Sequence, residues 1–579
     1  MTTTSGTGSG TGPGGGQDQG HAATGGPDAK AAGGGVILLT LASAQFLMTL
    51  DSSVMNVSIA TVAADVGTTV TGIQTAITLY TLVMASFMIT GGKIGQIIGR
   101  KRAFSLGIVI YVCGSFTTAI APSLPVLLFG WSFLEGIGAA LIMPAIVALV
   151  ASNFGRAERP RAYGLVASAG AIAVAAGPLI GGLFTTYLSW RYVFAGEVLV
   201  GLVILALARR AADSPKEEGV RLDLVGTLLS AVGLALLVFG VLRSGAWGIV
   251  QPKSGAPVWL GLSPVFWLEL GGLAVLFGFF TWERHRIATG KAALLDPALL
   301  ANKALRGGLV AFFFQFLLQA GMFFTIPLFL SVALGQSAIA TGVRLLPLSI
   351  TLLVAAVGVP RLWPQASPRL VARAGFALLL AGIVVMIGAL EVGAGPQIVT
   401  WPMLLAGLGI GALASQLGAV TVSSVPDERS GEVGGLQNTV TNLGASIGTA
   451  VAGAVLISAL SASFLTGLES NPAVSDQLAS QASVQLEAGA PFVSDADLEA
   501  ALTAKGITGP TATAIVDANT TARIDALRAS LGVLALVNLL ALFFLGRLPK
   551  EAVGTDDGDA VDPGDADVGV AAGGRTDGA

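Results

Sequence analysis

Long apolar segments, separated by short polar stretches, recur along the whole chain. At a rise of about 1.5 Å per residue, a helix of about 20 apolar residues crosses a hydrocarbon core of roughly 30 Å. The pattern predicts two sets of six spans on either side of two extra ones. The predicted spans lie near residues 36–60, 72–92, 104–121, 124–150, 161–186, 192–208, 224–242, 265–283, 307–332, 341–360, 370–391, 400–421, 437–460 and 528–546.

Composition supports this pattern and excludes several classes of protein. The chain of 579 residues is 53% hydrophobic and only 11% charged, whereas soluble domains are about 25% charged. We therefore expect an all-α polytopic membrane protein. The net charge of -3 indicates no nucleic-acid partner. With one cysteine, two scattered histidines and no nucleotide loop or nucleophile motif, we expect no metal, no cofactor and no enzymatic activity.

The predicted spans divide the chain into five parts. Residues 1–35 and the acidic 551–579 have too little apolar content to fold and are predicted to be disordered tails. Between them we expect a bundle at 36–210, a linker with the two extra spans at 211–304, and a bundle at 305–550 with an outer loop at 462–525. Lys and Arg are concentrated in the loops on one side, which predicts a cell-membrane protein with both termini in the cytoplasm.

One carboxylate, Asp51, interrupts the first apolar span. A charged group at that depth costs roughly 2.5 to 3.5 kcal/mol on insertion scales and is therefore a candidate functional residue. A second acid, Glu135, lies in the fourth span. Counted from the outer ends, the two lie roughly 14 and 17 Å deep, in nearly the same layer. We expect the pair to load and release protons, although Glu135 could instead be a hydrogen-bonded packing acid.

Two motifs connect the chain to a known family. The loop Gly92-K-I-G-Q-I-I-Gly99-R-K-Arg102 resembles the G-x-x-x-D-x-x-G-R-K/R signature of the major facilitator superfamily. The segment Ala173-V-A-A-G-P-L-I-G-Gly182 resembles its antiporter signature. Leu50-D-S-S-V-M-N-Val57 and several later fragments resemble the fourteen-span drug/proton antiporters of the multidrug efflux type. The resemblance covers about residues 36–550 and implies two six-helix bundles plus two extra transmembrane helices.

The chain departs from the family pattern at two places. In the family, the loop acid locks the cytoplasmic gate by pairing with cations and a helix end, whereas this chain has Gln96, which carries no charge. The resemblance therefore implies a weakened lock at Gln96, Arg100 and Arg102, and a bend at Gly177, Pro178 and Gly181 that combines helix packing with an alternating-access pivot. In the fourth span, Ser132 replaces the family's arginine and Glu135 replaces its glutamine.

Other polar residues of the spans are ambiguous. Glu197, where the family usually has Asn, is expected nearer the outer surface, where pairing with Arg191 gives it a structural role. Two amide pairs at helical spacing could contact substrate, or they could hold helices together. These pairs are Gln315 with Gln319 and Asn438 with Asn442.

The function that the resemblance implies is proton-coupled export of hydrophobic or amphipathic small molecules by a secondary active transporter using alternating access. The expected partners are a lipophilic small molecule, protons and the lipid bilayer, and we expect a monomer. One alternative is an exporter or flippase of an endogenous lipid or secondary metabolite. Another is a receptor or scaffold that kept the fold without transport.

Overall fold

The computed structural model describes residues 27–154, 159–210, 213, 221–253, 255–363, 365–425, 430–475, 477 and 492–550. Within these residues the chain is helical apart from its loops and one isolated bridge between Trp259 and Leu262. Most of the two predicted tails, at 1–26 and 551–579, lies outside the described residues. The part of the first tail from residue 27 onwards is not a tail, because the first helix begins there.

Helices of the described residues are numbered here in chain order. They are α1 Pro27–Asp65, α2 Val70–Ile98, α3 Arg100–Ala119, α4 Leu124–Val150, α5 Arg159–Tyr187, α6 Arg191–Ala208, α7 Leu224–Trp247, α8 Pro264–Ala288, α9 Lys303–Ala333, α10 Ala338–Leu362, α11 Pro368–Ala389, α12 Thr400–Ser423, α13 Ser430–Glu469, α14 Asp495–Ala504 and α15 Pro510–Phe544.

Every predicted span has a matching helix. Thirteen helices of the described residues are long and apolar enough to cross a membrane, and α5 adds a fourteenth, bent by 41° between Val174 and Ala176. The chain is thus an all-α, multi-pass membrane protein. Many helices begin directly after a polar side chain that accepts a backbone N–H of the first turn, which explains where they start. These capping residues are Thr69, Asp223, Ser263, Asn302, Ser337, Ser367 and Ser494.

The outer loop expected at 462–525 is much shorter in the structure. α13 continues to Glu469, α15 begins at Pro510, and α14 lies between them. The helices continue because apolar side chains such as Leu468, Leu502 and Ile515 pack into a small core of their own. We call residues 470–509 the cap. The bundle end that carries the cap is the cap end, and the opposite end, where α1 begins, is the tail end.

The bundle has two halves with the extra helices α7 and α8 beside them. α1 to α6 form the N-terminal half, and α9 to α13 with α15 form the C-terminal half. The halves meet along two seams, one between α2 and α13 and the other between α5 and α10. Buried apolar side chains from both halves join in one large core, including Met55, Tyr80 and Phe324.

Candidate functional site

Asp51 is fully buried in α1 and is held by one aromatic side chain. The indole Nε1 of Trp131 donates to Asp51 Oδ1 at 2.8 Å and to Oδ2 at 3.0 Å. The Trp131 ring stacks on Tyr80 with centroids 4.9 Å apart and planes 4° apart. The Tyr80 hydroxyl lies beside Asp51 and has no hydrogen-bond partner among the described residues. Three helices, α1, α2 and α4, therefore converge on this carboxylate.

A π-helical segment places the fourth-helix side chains. Residues Leu128–Glu135 of α4 form this segment, a rare conformation that is frequent at functional sites. α3 packs closely against it, because a Cβ at Gly114 would lie 2.7 Å from the Gly130 carbonyl oxygen and 2.5 Å from Glu135 Cγ. The Glu135 side chain consequently lies against the α3 backbone, where a larger residue than glycine would exclude it.

Glu135 and Glu197 are buried as well, and each is hydrogen-bonded from α3 through one oxygen. Thr118 Oγ1 donates to Glu135 Oε1 at 3.1 Å. Ser115 Oγ at 3.1 Å and the Tyr111 hydroxyl at 3.3 Å donate to Glu197 Oε2. The remaining oxygens, Glu135 Oε2 and Glu197 Oε1, have no hydrogen-bond partner among the described residues.

Together the three acids form a compact cluster. Asp51 from α1, Glu135 from α4 and Glu197 from α6 each contribute one carboxylate oxygen, and these oxygens lie within 4.8 Å of one another. No ion pair of the described residues involves them. Two unit charges about 5 Å apart repel by about 3 kcal/mol at an effective dielectric constant of about 20. Three carboxylates in this setting cannot all stay ionised without a compensating charge, and protons or a hard cation are the species that could supply it.

The expected pairing of Glu197 with Arg191 is wrong. Glu197 is 2% exposed and belongs to the cluster, whereas Arg191 donates to the Ala119 and Ala121 carbonyls and stacks over Trp190 at 4.5 Å. Six residues separate Glu197 from Arg191 at the start of α6, a distance of about 9 Å along the helix, and the half-buried guanidinium of Arg191 is already bound to the two carbonyls. A lone acid in an otherwise apolar helix was the sequence feature that could have marked Glu197 as a site residue. The sequence does not show its partners, because they lie on α1, α3 and α4.

Ser132, which replaces the family's membrane arginine, does not join the cluster. Its hydroxyl donates to the Ala76 carbonyl of α2 at 2.8 Å. The structure brings Asp51 and Glu135 together as expected from their depths.

A narrow cleft lies between the two halves near the middle of the bundle. α1 contributes Ser53 and Asn56, α5 contributes Val174 and Pro178, and the C-terminal half contributes α9 and α10 side chains. The remaining lining residues are Val57, Phe323, Pro327, Leu345, Leu348 and Ser349. Ser53 is two residues from Asp51, so α1 connects the acid cluster to the cleft.

The four candidate substrate-binding amides lie elsewhere. Gln315 is buried in α9 with its Oε1 unpartnered among the described residues, and Gln319 is half-buried one turn later. In α13, Asn442 Nδ2 donates to the Asn438 carbonyl of its own helix at 2.9 Å. None of the four lines the cleft. No hydrogen bond of the described residues joins the two amide pairs.

The gating candidates separate into two groups. On α5, a Cβ at Gly177 would lie 2.3 Å from Ser53 Oγ, and one at Gly181 would lie 3.0 Å from Val54 Cα. These glycines bring α5 directly onto α1. The bend of α5 lies at Val174, one turn before Pro178, where proline removes a hydrogen bond to the carbonyl four residues earlier. Pro178 thus bends the helix as expected.

The second group lies at the tail end, around the turn between α2 and α3. Gly99 adopts φ of 103°, which favours glycine. Gln96 keeps its Oε1 buried without a hydrogen-bond partner among the described residues, Arg100 is half-buried and Arg102 is exposed. The carboxylate at this turn comes instead from Asp213, whose Oδ1 accepts the backbone N–H of Lys101 at 2.9 Å. Sequence reasoning missed Asp213 because it is remote along the chain.

The helical bundle, its two halves and the buried acid cluster define a polytopic membrane transporter. The family model described as the Major Facilitator Superfamily matches residues 41–449. The chain belongs to this superfamily and is a transporter of its drug-efflux type, not an enzyme.

Two relatives are named as a transporter and as a resistance protein, and one solved structure shares the fold. The chain is 30% identical over 498 residues to a probable actinorhodin transporter of Streptomyces coelicolor, covering 82% of this chain and 81% of that protein. It is 31% identical over 468 residues to a puromycin resistance protein of Streptomyces alboniger, covering 78% and 87%. A bacterial homolog of the human lysosomal transporter Spinster, solved in an inward-facing conformation, shares the fold with a TM-score of 0.57 at 16% identity, covering 89% and 98%.

Proposed function

We propose that this protein exports hydrophobic or amphipathic small molecules across the cell membrane in exchange for protons, by alternating access. The observation that carries the proposal is the buried cluster of Asp51, Glu135 and Glu197, with its carboxylate oxygens within 4.8 Å and no ion-pair partner among the described residues. A group of acids that cannot all ionise at once is a proton-binding site. In this proposal both termini, and therefore the tail end, face the cytoplasm.

Coupling between proton and substrate runs through α1. Asp51 faces the cluster, while Ser53 and Asn56 of the same helix line the cleft. A proton arriving from the cap end removes one negative charge from the cluster, which stabilises close packing of α1, α4 and α6. Proton loss toward the tail end restores the repulsion. α1 transmits this change to the cleft, so the side of the membrane to which the substrate site opens changes with the charge of the cluster.

The remaining site residues have proposed roles in the same cycle. Gly177, Pro178 and Gly181 give α5 a bend packed on α1, which serves as the pivot of the two halves. Gln96, Arg100 and Arg102 form the turn at the tail-side gate. Gln315, Gln319, Asn438 and Asn442 contact substrate once the cleft is open toward α9 and α13.

A second candidate function is export of an endogenous secondary metabolite or lipid. The names of two relatives refer to actinorhodin transport and puromycin resistance, which favours an antibiotic-like natural product as substrate. The proton-coupling mechanism is the same for both candidates.

The experiment is transport of ethidium, an amphipathic cation, by purified protein in liposomes with an imposed pH gradient. We expect gradient-driven transport by the wild type. Asp51→Asn, Glu135→Gln and Glu197→Gln each remove one ionisable group at nearly constant volume, and each should lower gradient-driven transport by about tenfold or more, since the acid is used in every cycle.

Glu269→Gln is the matched control, because Glu269 lies in α8, a helix that contributes no acid to the cluster. The same chemical change there should leave the transport rate within about twofold of wild type. Proton coupling would be contradicted if the rate of ethidium transport did not depend on the pH gradient, or if a sodium gradient drove transport instead. If Glu135→Gln transports normally with unchanged pH dependence, Glu135 is only a packing acid.

A further inference from the structure

The extra helix α7 lies against the seam between α2 of the N-terminal half and α13 of the C-terminal half. A Cβ at Gly245 of α7 would lie 2.6 Å from the Ala454 carbonyl oxygen of α13. The hydroxyls of Thr227 of α7 and Thr90 of α2 lie 3.2 Å apart. α7 therefore covers this seam and contacts both halves.

Two buried acids lie at the tail end of the extra pair, where α7 begins and α8 ends. Glu283 of α8 is fully buried, and Asp223, which caps α7, is 3% exposed. A Cβ at Gly226 would lie 2.4 Å from Glu283 Oε1 and 2.7 Å from Asp223 Oδ2. The two oxygens consequently face each other over a glycine, and any larger residue at this position would displace them.

The two acids differ in their hydrogen-bond partners. Asp223 Oδ2 pairs with Arg286 Nε at 3.2 Å, and Asp223 Oδ1 accepts the backbone N–H of Val225 at 3.1 Å. Glu283 accepts hydrogen bonds only through Oε2, and its Oε1 has no hydrogen-bond partner among the described residues. Asp223 is therefore stabilised as an anion, and the oxygen that is open to a proton is Glu283 Oε1.

One guanidinium faces these two carboxylates. The charged groups that act most strongly on Glu283 are Asp223 of α7 and Arg286 of its own helix. When both acids are ionised, this group of three carries one uncompensated negative charge, which a single proton neutralises. The other helices packed here present apolar side chains of one cluster. These side chains include Ile89 of α2, Leu305 of α9 and Val433 of α13.

Glu283 also fastens the loop of residues 289–302, which leads into α9 and is called the α9 loop here. Its Oε2 accepts the backbone N–H of Leu294 at 2.7 Å and that of Leu295 at 3.3 Å. Arg286 Nε donates to the Ala292 carbonyl of the same loop at 2.8 Å. Leu294 and Leu295 are buried in the apolar cluster that joins α2, α7, α8, α9 and α13. The position of the α9 loop therefore depends on Glu283 and Arg286.

We propose that Glu283 is a second proton-binding site, separate from the acid cluster of Asp51, and that its protonation loosens the α9 loop. A proton from the tail-side solvent reaches Oε1 past Arg286, which is 16% exposed, and the new O–H donates to Asp223 Oδ2. The neutral carboxyl is a weaker acceptor for the N–H groups of the loop, because charge-assisted hydrogen bonds are roughly twice as strong as neutral ones.

This site connects the pH on the tail side to a helix of the cleft. The α9 loop ends at Asn302, which caps α9, and the same helix carries Phe323 and Pro327 of the cleft. When the tail side is acidic, the start of α9 gains freedom. The inference goes beyond the proposed export, because it assigns a regulatory proton to the extra helices.

The test is hydrogen exchange of the α9 loop in the full-length protein in liposomes, corrected for the intrinsic pH dependence of amide exchange. We expect exchange in the wild type to accelerate at least about fivefold between about pH 8 and about pH 5, because protonation releases the loop. Glu283→Gln is neutral at every pH, so its loop should exchange fast throughout. Glu269→Gln, the same change near the opposite end of α8, is the matched control and should behave like the wild type.

A second variant distinguishes proton binding from a purely structural role. Asp223→Asn keeps a capping side chain at the start of α7, but it removes the neighbouring negative charge and frees Arg286 from its ion pair. Both changes favour the ionised form of Glu283, so the midpoint of loop loosening should move toward lower pH by about one unit. A structural effect alone would loosen the loop without moving the midpoint.

The second proton site is overturned if exchange of the wild-type loop does not accelerate as the pH falls, or if Glu283→Gln keeps the pH dependence. An unmoved midpoint in Asp223→Asn has the same consequence. Neither substrate nor gradient enters these measurements. A negative result therefore leaves proton-coupled export standing, and absence of gradient-driven transport leaves the second proton site standing.

Discussion

At the scale of single residues, Asp51 depends on Trp131 for both of its described hydrogen bonds. Hydrogen bonds to charged groups contribute about 1.5 to 3 kcal/mol, more than neutral ones. The π-helical segment of α4 presents Trp131 and Glu135 to α1 within one turn of each other. The same short segment therefore carries one acid of the cluster and the donor that stabilises another.

Trp131→Phe tests this arrangement. The variant keeps an aromatic ring against Tyr80 but removes the indole donor, so the ionised form of Asp51 loses about 1.5 to 3 kcal/mol of stabilisation. We expect gradient-driven transport to fall about tenfold, with the helical content unchanged by circular dichroism. Trp282→Phe, in the extra helix α8, is the control and should transport like wild type. Normal transport by Trp131→Phe would show that the indole does not support the cluster.

At the scale of elements, α5 combines a proline bend with glycines packed directly on α1. The bend is local, since Pro178 removes a hydrogen bond within its own helix. The close packing, in contrast, depends on which residues of α1 lie opposite the glycines. These residues are Ser53, opposite Gly177, and Val54, opposite Gly181. Helices without a hydrophobic driving force between them associate through such small residues.

Gly177→Ala should destabilise the protein, because its new methyl group would overlap Ser53 Oγ, and overpacking costs about 1 to 3 kcal/mol. Gly164→Ala is the matched control, since it adds the same methyl group in open space and gains helix propensity of about 1 kcal/mol. Thermal unfolding in detergent should give a lower Tm for the first variant and an equal or higher Tm for the second. Adding Ser53→Gly should restore the Tm of Gly177→Ala. A Tm that the first variant leaves unchanged would mean that α1 and α5 adjust freely.

At the scale of the whole molecule, the cap is attached to the C-terminal half by a buried arginine. Arg523 of α15 is 1% exposed, pairs with Asp495 at 2.5 Å and donates to the carbonyls of Val493 and Val332. Val332 belongs to the end of α9, so one side chain joins α9, α15 and the cap. The described part of the cap is therefore attached to the C-terminal half.

Arg523→Ala should release the cap while leaving the bundle folded. Loss of the ion pair and of two carbonyl contacts removes about 1 to 3 kcal/mol locally, which allows residues 492–509 to open more often. We expect hydrogen exchange there to accelerate about tenfold or more. Arg528→Ala serves as the control, because its ion pair with Asp525 is half-exposed and its other hydrogen bond goes to the Leu390 carbonyl, outside the cap. Surface ion pairs contribute little. Unchanged exchange in the first variant would show that the apolar core of the cap suffices.

Much of the architecture follows from local properties of the chain. The positions of the spans follow from the length of each apolar segment, and the similar depths of Asp51 and Glu135 follow from the helical rise. The bend at Pro178 follows from the missing N–H of proline. Each of these properties belongs to a single segment. The same reasoning misjudged the loop at 462–525, because apolar residues such as Leu468 and Ile515, which pack only after folding, extend α13 and α15 beyond the membrane-length segments.

From the sequence alone, the chain is determined to be a fourteen-span transporter with two acids at one depth. Only the tertiary structure decided that Glu197 is the third member of the cluster, that Asp213 supplies the carboxylate at the turn of Gly99, and that α7 covers one seam. These facts depend on which helices are neighbours. Helices become neighbours where glycines such as Gly114 allow their backbones to approach closely. The hydrophobic periodicity of a single helix does not predict which partner helix will pack there.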